Sequence, residues 1–538
     1  MSVARLEAGI NRPIVDPPWM PPTSQAVLTC GALAVLGYLL FFHRLTDRDL
    51  WSTHEARAAQ QGQMILETGD WLLPRLLDGR PDLQKPPLYY GWVAGLGWLQ
   101  GGVDAWSVRL PASLAATLTC LVVFFGMWQL NRPWAGVAAV LILATMLRFT
   151  WLARVGRIDM PLTLAVAMPL TASLVAGHLE HSAWQRRGWC LVGWLGLTLG
   201  MLLKGPIAWV LVLVVGASQW LVTRWLLRAP AALPRTRPWW RCWWLGLTIT
   251  VLPVAAYAAA VEVRTEGAYF REFIVKHTIQ RGLGGDEQLD GHDHPAWFYL
   301  IRLPIDAAPW SWLLPVLVVL GRRDGFRGDP AARFGLIWFG AMLIFLSFMR
   351  YKRPEYLLPA YPGLALALGC FIEDLKGHAR GWFMRSGSAL AWLAAGCVAC
   401  GWLAYVDKIL PTLEPNRSLV AFSAAVRQHV PRPGQVLLFR IDSHHLTWLL
   451  GRPVERLWEW ENLDIWACQP ATLFVVMPQE WAERWPEFLE AGRLYPVTST
   501  AELAGGAHEQ ALVLFSTRPL AHDELGKPST PRESARAQ

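Results

Sequence analysis

The chain has 538 residues, 53% of them hydrophobic and 17% charged, with a formal net charge of +8 and a mean hydropathy of +0.27. Ordinary soluble domains carry about a quarter charged residues, so this composition excludes a large soluble enzyme and describes a polytopic membrane protein. The positive charge does not call for nucleic acid, because basic cytoplasmic loops account for it.

Residues 1–26 are polar and proline-rich and read as a cytoplasmic segment ahead of an uncleaved anchor. Apolar runs long enough to cross a membrane follow at 27–43, 107–129, 134–152, 160–178, 207–223, 242–262, 297–320, 333–349, 355–373 and 388–406, with shorter runs at 88–100 and 189–203. A span needs about 20 residues, so residues 27–406 are expected to form a transmembrane domain of about 11–13 helices. Trp106, Trp151, Trp239, Trp240 and Trp297 flank these runs, where an amphipathic ring suits the membrane interface. The Arg-rich connections 223–241 and 321–333 and the basic connection 374–387 can all be cytoplasmic together. That places Lys204, 263–296, 350–355 and the C-terminal region outside, and Asp159 with them provided that 160–178, 189–203 and 207–223 all cross. For 44–86 and Asp159 to share that face, 88–100 must re-enter or lie along the interface rather than cross. Cys397 and Cys400 form a CxxC inside an apolar run, which reads as packing rather than redox or metal chemistry. No internal repeat is visible, which counts against a transporter built from duplicated halves.

After residue 407 the pattern changes. "GQVLLFRI", "ATLFVVMP" and "ALVLFST" read as short buried strands alternating with helical stretches such as "SLVAFSAAVRQHV" and "EWAERWPEFLEAG". Residues 407–520 are therefore expected to form a small external α/β domain, and 521–538 a polar disordered tail.

The first external loop, 44–86, holds "WSTHEARAAQ". Ser52-x-x-Glu55 fits a capping box and Gly69 a helix stop, so 53–68 reads as a short helix near the interface. Glu55 can then be a cap, and Lys or Arg at a helix mouth can simply snorkel to headgroups. The joint pattern asks for more. Glu55 and Asp159 share one face with Lys85, Lys204, Lys352 and Arg353, and with His277 and Arg281 of "KHTIQRGLGG". "HDH" at 292–294 is a poor zinc set, since consecutive residues make poor tetrahedral ligands. Carboxylates can take or attract an acceptor's proton, while Lys and Arg hold a lipid phosphate and the charge that grows on it. That mixture at a membrane edge suits glycosyl transfer from a polyprenyl-phosphate sugar.

"THEARAAQQGQMILETGDWLLPRLLDGRPDLQKPPLYY", "RIDMPLTL", "LLKGP", "HTIQRGLGG" with "HDHPAWFYL", and "KRPEYLLPAYPGLALALG" together resemble the bacterial lipid A aminoarabinose transferases and their relatives in the protein O-mannosyltransferase superfamily. These are GT-C integral-membrane glycosyltransferases (families 39 and 83). The resemblance runs from about residue 27 to 375. It implies inverting transfer from an undecaprenyl-phosphate sugar at the periplasmic face of the inner membrane, to a lipid A-like glycolipid, another glycan or a protein. It sets the family's first-loop Asp at His54 and keeps the following Glu as Glu55. Either Glu55 takes over the catalytic role, or His54 is the base with Glu55 orienting it. Asp159 matches the second carboxylate, Lys85 the phosphate-contacting lysine, and Lys352 with Tyr356 the later external motif. The expected site is thus Glu55, Asp159 and His54 for catalysis, with Arg57, Lys85, Lys204, His277, Arg281, Lys352 and Tyr356 binding substrate. No cofactor is assigned and no dedicated metal-ligand set is visible. A divalent cation stays open, because members of the family differ on it. The competing function is a transporter or flippase for a lipid-linked sugar.

Overall fold

The computed structural model describes residues 23–176, 183–226, 243–280, 293–315, 329–378, 382–430, 434–505 and 508–520. The chain begins with helix α1 (Thr23–Phe41), then α2 (Thr53–Thr68) in the first loop, α3 (Leu88–Gln100), α4 (Ala105–Gln129), α5 (Pro133–Thr145), α6 (Leu147–Ala153), α7 (Asp159–Ala176), α8 (Ala183–Lys204) and α9 (Ile207–Leu221). Further on come α10 (Leu252–Arg264), α11 (Phe298–Asp306), α12 (Pro330–Phe348), α13 (Tyr361–His378) and α14 (Trp382–Ala404). Among the described residues, six helical stretches are long and apolar enough to cross a membrane, or seven if the pair α5–α6 counts as one span bent by 70°. The protein is a polytopic helical membrane protein, as its composition required.

Several runs fold differently from their hydropathy. The run 134–152 is broken at Met146 into α5 and α6, and Thr150 Oγ1 donates across the break to Ala144 O (2.7 Å). The helix α3 has 13 residues and ends at Gly101, so it is about 20 Å long and shorter than the roughly 30 Å hydrocarbon core. The run 297–320 does not start as one span. It forms α11, stops at Asp306, and turns through Trp310–Trp312, where Pro309 has no amide hydrogen to continue a helix, and the buried Asp306 carboxylate pairs with Arg148 (2.6 Å). Cys397 and Cys400 are exposed on α14 rather than packed.

One apolar core joins α4, α5, α7, α12 and α13 and includes Met127, Ile142, Met160, Trp338 and Leu368. The Trp338 indole donates to Pro359 O (2.9 Å), and Ser113 Oγ donates to both Phe41 O and Ala153 O. Polar side chains thus satisfy the carbonyls left free where helices end inside the bundle. At one end of the bundle, Arg132 meets three carboxylates, Asp329, Glu373 and Asp374.

The C-terminal region adds α15 (Val420–His429), α16 (His444–Leu450) and five strands: β1 (Val436–Phe439), β2 (Glu455–Leu457), β3 (Phe474–Pro478), β4 (Tyr495–Ser499) and β5 (Leu512–Ser516). Their order is β2-β1-β3-β5-β4. The strand β1 is parallel to β2 and β3, and β5 is antiparallel to β3 and β4. The three strands expected from sequence are present; β2 and β4 were not foreseen. The stretch 480–492 is not one helix but Gln479–Ala482 and a 3-10 turn Trp485–Glu487, because Pro486 supplies no amide hydrogen.

The Arg132 clasp carries a prediction. Arg132→Ala leaves three carboxylates facing one another and is expected to cost about 1–3 kcal/mol, less than a fully buried pair because the cluster is partly exposed. Its measure is a lower unfolding midpoint in detergent, with Arg132→Lys falling between.

Candidate functional site

The first loop is organised around one buried carboxylate. Glu55 is wholly buried and so is Arg109 of α4. Arg109 Nε donates to Glu55 Oε1 (2.7 Å). Arg48 donates from both terminal nitrogens to the two Glu55 oxygens (3.0 and 3.1 Å), and the Gly156 amide donates to Oε1 (3.0 Å). The rest of the Arg109 guanidinium donates to the carbonyls of Leu45, Arg48 and Asp49. Burial pushes the Glu55 carboxyl upward, but Arg109 and Arg48 outweigh it and hold it well below the usual range. The capping box is absent: Ser52 Oγ accepts from the His54 amide (3.3 Å), and Glu55 reaches the arginines instead. Gly69 does stop α2, with φ of 69° and its amide on Ile65 O.

Beside this network lies a narrow cleft of about 20 Å³ lined by His54, Arg57, Lys85, Tyr90, Arg157 and Asp159, among others. Asp159 is its only carboxylate among the described residues. Asp159 Oδ1 accepts from Lys204 Nζ (2.7 Å) and Oδ2 from Arg157 Nε (3.2 Å). Gly205, at φ of 75°, ends α8 in the left-handed region that glycine adopts without strain, and this turn leaves Lys204 at the helix mouth. Arg157 continues to Glu355. Arg57 pairs with Asp82 and donates to Gln84 Oε1 (3.2 Å). Arg353 donates to His54 Nε2 (3.0 Å). Burial, with the cations of Lys85 and Arg157, pushes the His54 imidazole far below its ordinary range, so it is neutral and Nε2 is already taken.

Lys85 stands apart. Among the described residues it forms no ion pair, and burial with the neighbouring charges of Lys204 and Arg57 pushes its amine down to about 7. A cation left without its own carboxylate, among other cations, is a place for an anion. The next residue, Pro86, lines an apolar groove of about 390 Å³ with Gly205, Val254, Tyr257 and Phe273. A second apolar stretch of about 420 Å³ shares Met201, Pro206, Val254 and Ala258 with it.

The structure gathers His54, Arg57, Lys85, Asp159 and Lys204 at one place. Glu55 is adjacent but turned away, into the arginines. Tyr356 joins the edge, with Lys204 Nζ 4.4 Å from its ring centre. Lys352 does not join: its ammonium donates to His294 O (2.7 Å) and Met349 O and so holds a loop. Arg281 and the His277 side chain lie outside the described residues, as does His292. Of the HDH triplet, Asp293 faces Arg350 (3.7 Å) and His294 stacks on Phe298 (4.3 Å). Sequence reasoning missed Arg48, Arg109 and Arg157. Arg109, a charge five residues into a membrane-spanning helix, carried the signal, because such residues are rare and functional by default.

Residues 26–269 match the family model for dolichyl-phosphate-mannose-protein mannosyltransferase. The undecaprenyl phosphate-alpha-4-amino-4-deoxy-L-arabinose arabinosyl transferase of Pectobacterium carotovorum is 30% identical over 410 residues, 74% of this chain and 69% of that protein. The enzyme of the same name from Pseudomonas paraeruginosa is 29% identical, over 72% of this chain and 67% of that one. This chain belongs to that arabinosyl transferase family. It is a polyprenyl-phosphate-dependent membrane glycosyltransferase, and the alignments span about two thirds of the length of these curated relatives. The crystal structure of ArnT from Cupriavidus metallidurans bound to undecaprenyl phosphate shares the fold, at 18% identity and a TM-score of 0.69, covering 95% of this chain and 100% of that one.

The transferase's small domain is bolted to its first loop. His445 Nε2 and Ser418 Oγ both contact Asp49 Oδ2 (2.7 and 2.9 Å), Glu414 accepts from the Asp49 amide (2.7 Å), and Gln60 Nε2 donates to His444 O (2.8 Å). Two outcomes follow. Glu55→Gln removes the charge between Arg48 and Arg109 and is expected to destabilise the transferase by about 3–5 kcal/mol, read as a lower unfolding midpoint. Full stability with lost transfer would instead give Glu55 a purely chemical role.

Proposed function

We propose that the transferase works at the outer face of the inner membrane, moving a sugar from an undecaprenyl-phosphate donor to an envelope acceptor that is a lipid A-like glycolipid, another glycan or a protein. The observation that carries this reading is the junction at Lys85–Pro86, where a cation-rich cleft abuts a long apolar groove. A prenyl phosphate needs both. Its tail lies along Val254 and Phe273, and its phosphate meets Lys85, Arg57 and Arg157. The cleft is narrow, so the long rotatable chains of Lys85 and Arg57 part to admit the head. The outer placement is supported by the positive-inside distribution of Lys and Arg.

The chemistry is a single displacement with inversion. An acceptor lone pair attacks the anomeric carbon as that carbon's bond to the phosphate oxygen breaks. The electron pair of that bond goes to the phosphate, whose growing charge Lys85 and its neighbours stabilise. The acceptor proton passes to Asp159, the carboxylate in the cleft. A carboxylate paired with two cations is a weak base, suited to orienting the hydroxyl and taking its proton late. His54, neutral and held by Arg353, is a hydrogen-bonding wall, and Glu55 positions the loop.

Asp159→Asn is expected to lower kcat by about 10²–10⁴ with donor KM nearly unchanged, measured with labelled polyprenyl-phosphate sugar and purified protein. A mild loss would move the proton elsewhere. Lys85→Ala is expected to raise donor KM more than it lowers kcat. Because the free Lys85 amine titrates near 7 and only its protonated form attracts phosphate, donor affinity should fall as pH rises above about 7. Lys85→Arg should flatten that fall.

A further inference from the structure

A further cavity, of about 890 Å³, opens between the first loop and the small domain. Its size is at the upper end for small-molecule sites, about 300–1,000 Å³. Asp78 and Arg80 come from the loop; Asp442, Arg452, Glu455 and Arg456 come from the sheet side. Three acids thus face three bases, so the cavity has no net charge to attract a phosphate or a polycation. It also has too many charges for a lipid chain. Trp458 lies on its wall and is half exposed, although a large apolar ring normally seeks cover.

The polar groups are arranged as donor beside acceptor. Arg456 Nη1 donates to Asp442 Oδ1 (3.1 Å), and the Asp442 side chain stays 43% exposed on the cavity wall, so its carboxylate can still accept from a ligand. Vicinal hydroxyls donate and accept at once, so they match an Asp–Arg pair, while the apolar face of a pyranose ring covers an indole.

We propose that this cavity binds a neutral saccharide: the carbohydrate part of the acceptor, remote from the hydroxyl that reacts. This rests on the transfer reaction proposed above. The cavity is placed for that task. The loop bearing Asp78 and Arg80 runs on to Asp82, the partner of Arg57, and to Lys85. On the other wall, His444 Nε2 is 3.7 Å from Asp442, and its carbonyl holds Gln60 of the first-loop helix. Acceptor docking and donor binding therefore use opposite sides of one loop.

The test uses the full-length protein in nanodiscs. The probes are a neutral hexose oligosaccharide that carries no phosphate, carboxylate or acyl chain, a Ser/Thr-rich peptide, and undecaprenyl phosphate. Wild-type protein should bind the oligosaccharide. Trp458→Ala and Asp442→Asn should each weaken that binding at least about ten-fold, Trp458→Phe should retain it, and undecaprenyl phosphate should bind all of them alike. Both sites are surface-exposed, and an unchanged unfolding midpoint establishes that the variants are folded. No oligosaccharide binding, equal binding by Trp458→Ala, or a response of this wall to the peptide alone would overturn the proposal. Lys85→Ala separates the two readings. It should lose undecaprenyl phosphate and keep the oligosaccharide, whereas retained donor binding would sink the reaction proposed above and leave the saccharide cavity standing.

Discussion

The architecture of the site depends on the desolvated Glu55 carboxylate. A charge with no exposure survives only when opposite charges and hydrogen bonds replace its water. Here two guanidiniums and the Gly156 amide do so. Those partners come from three places in the chain: the loop after α1, the first turns of α4, and the turn before α7. Satisfying one carboxylate therefore fixes three segments against each other. Arg109 extends the effect, since its remaining hydrogens take up the carbonyls of Leu45, Arg48 and Asp49. Without that network the loop would have no reason to present His54 and Arg57 on one side and its apolar alanines on the other.

On that frame the cleft follows from charge. Asp159 is neutralised by Lys204 and Arg157, Asp82 by Arg57, and Glu355 by Arg157. Lys85 is left over. Its depressed amine is the sign of an unbalanced group, and that imbalance is why the proposed donor, a phosphodiester monoanion, is set against it. The apolar groove starts at the next residue, so charge and grease meet at the point where a prenyl phosphate changes character.

Much of this was legible in the sequence. The α2 limits could be read from Ser52 and Gly69 because caps and stops are local. The strands β1, β3 and β5 could be read because they are continuous apolar runs, whereas β2 and β4 are partly exposed edge strands with no such run. The gathering of Asp159 and Lys204 was legible from topology, since positive-inside counting places their mouths on one face, whereas Lys85 was brought to them by the motif resemblance. Which carboxylate faces the cleft was not. Glu55 and His54 are neighbours in sequence, and only the tertiary positions of Arg48 and Arg109 decide that Glu55 turns inward. Lys352 was misleading for a related reason. A lysine at a helix mouth has several carbonyls in reach, and the ones it takes depend on where the chain near His294 returns.

The small domain fits the same logic. A five-stranded sheet with helices on both sides has its own core and could have been a passenger on a flexible tether. Its contacts say otherwise. Asp49 is shared between Arg109, through its carbonyl, and His445, through its carboxylate. The buried network that positions the first loop therefore continues without a gap into α16. Moving the domain would strip Asp49 of both side-chain partners and pull Gln60 from His444 O, on the same helix that carries Glu55 and Arg57. The free energy of docking the domain is thereby part of the free energy that holds the first loop in place.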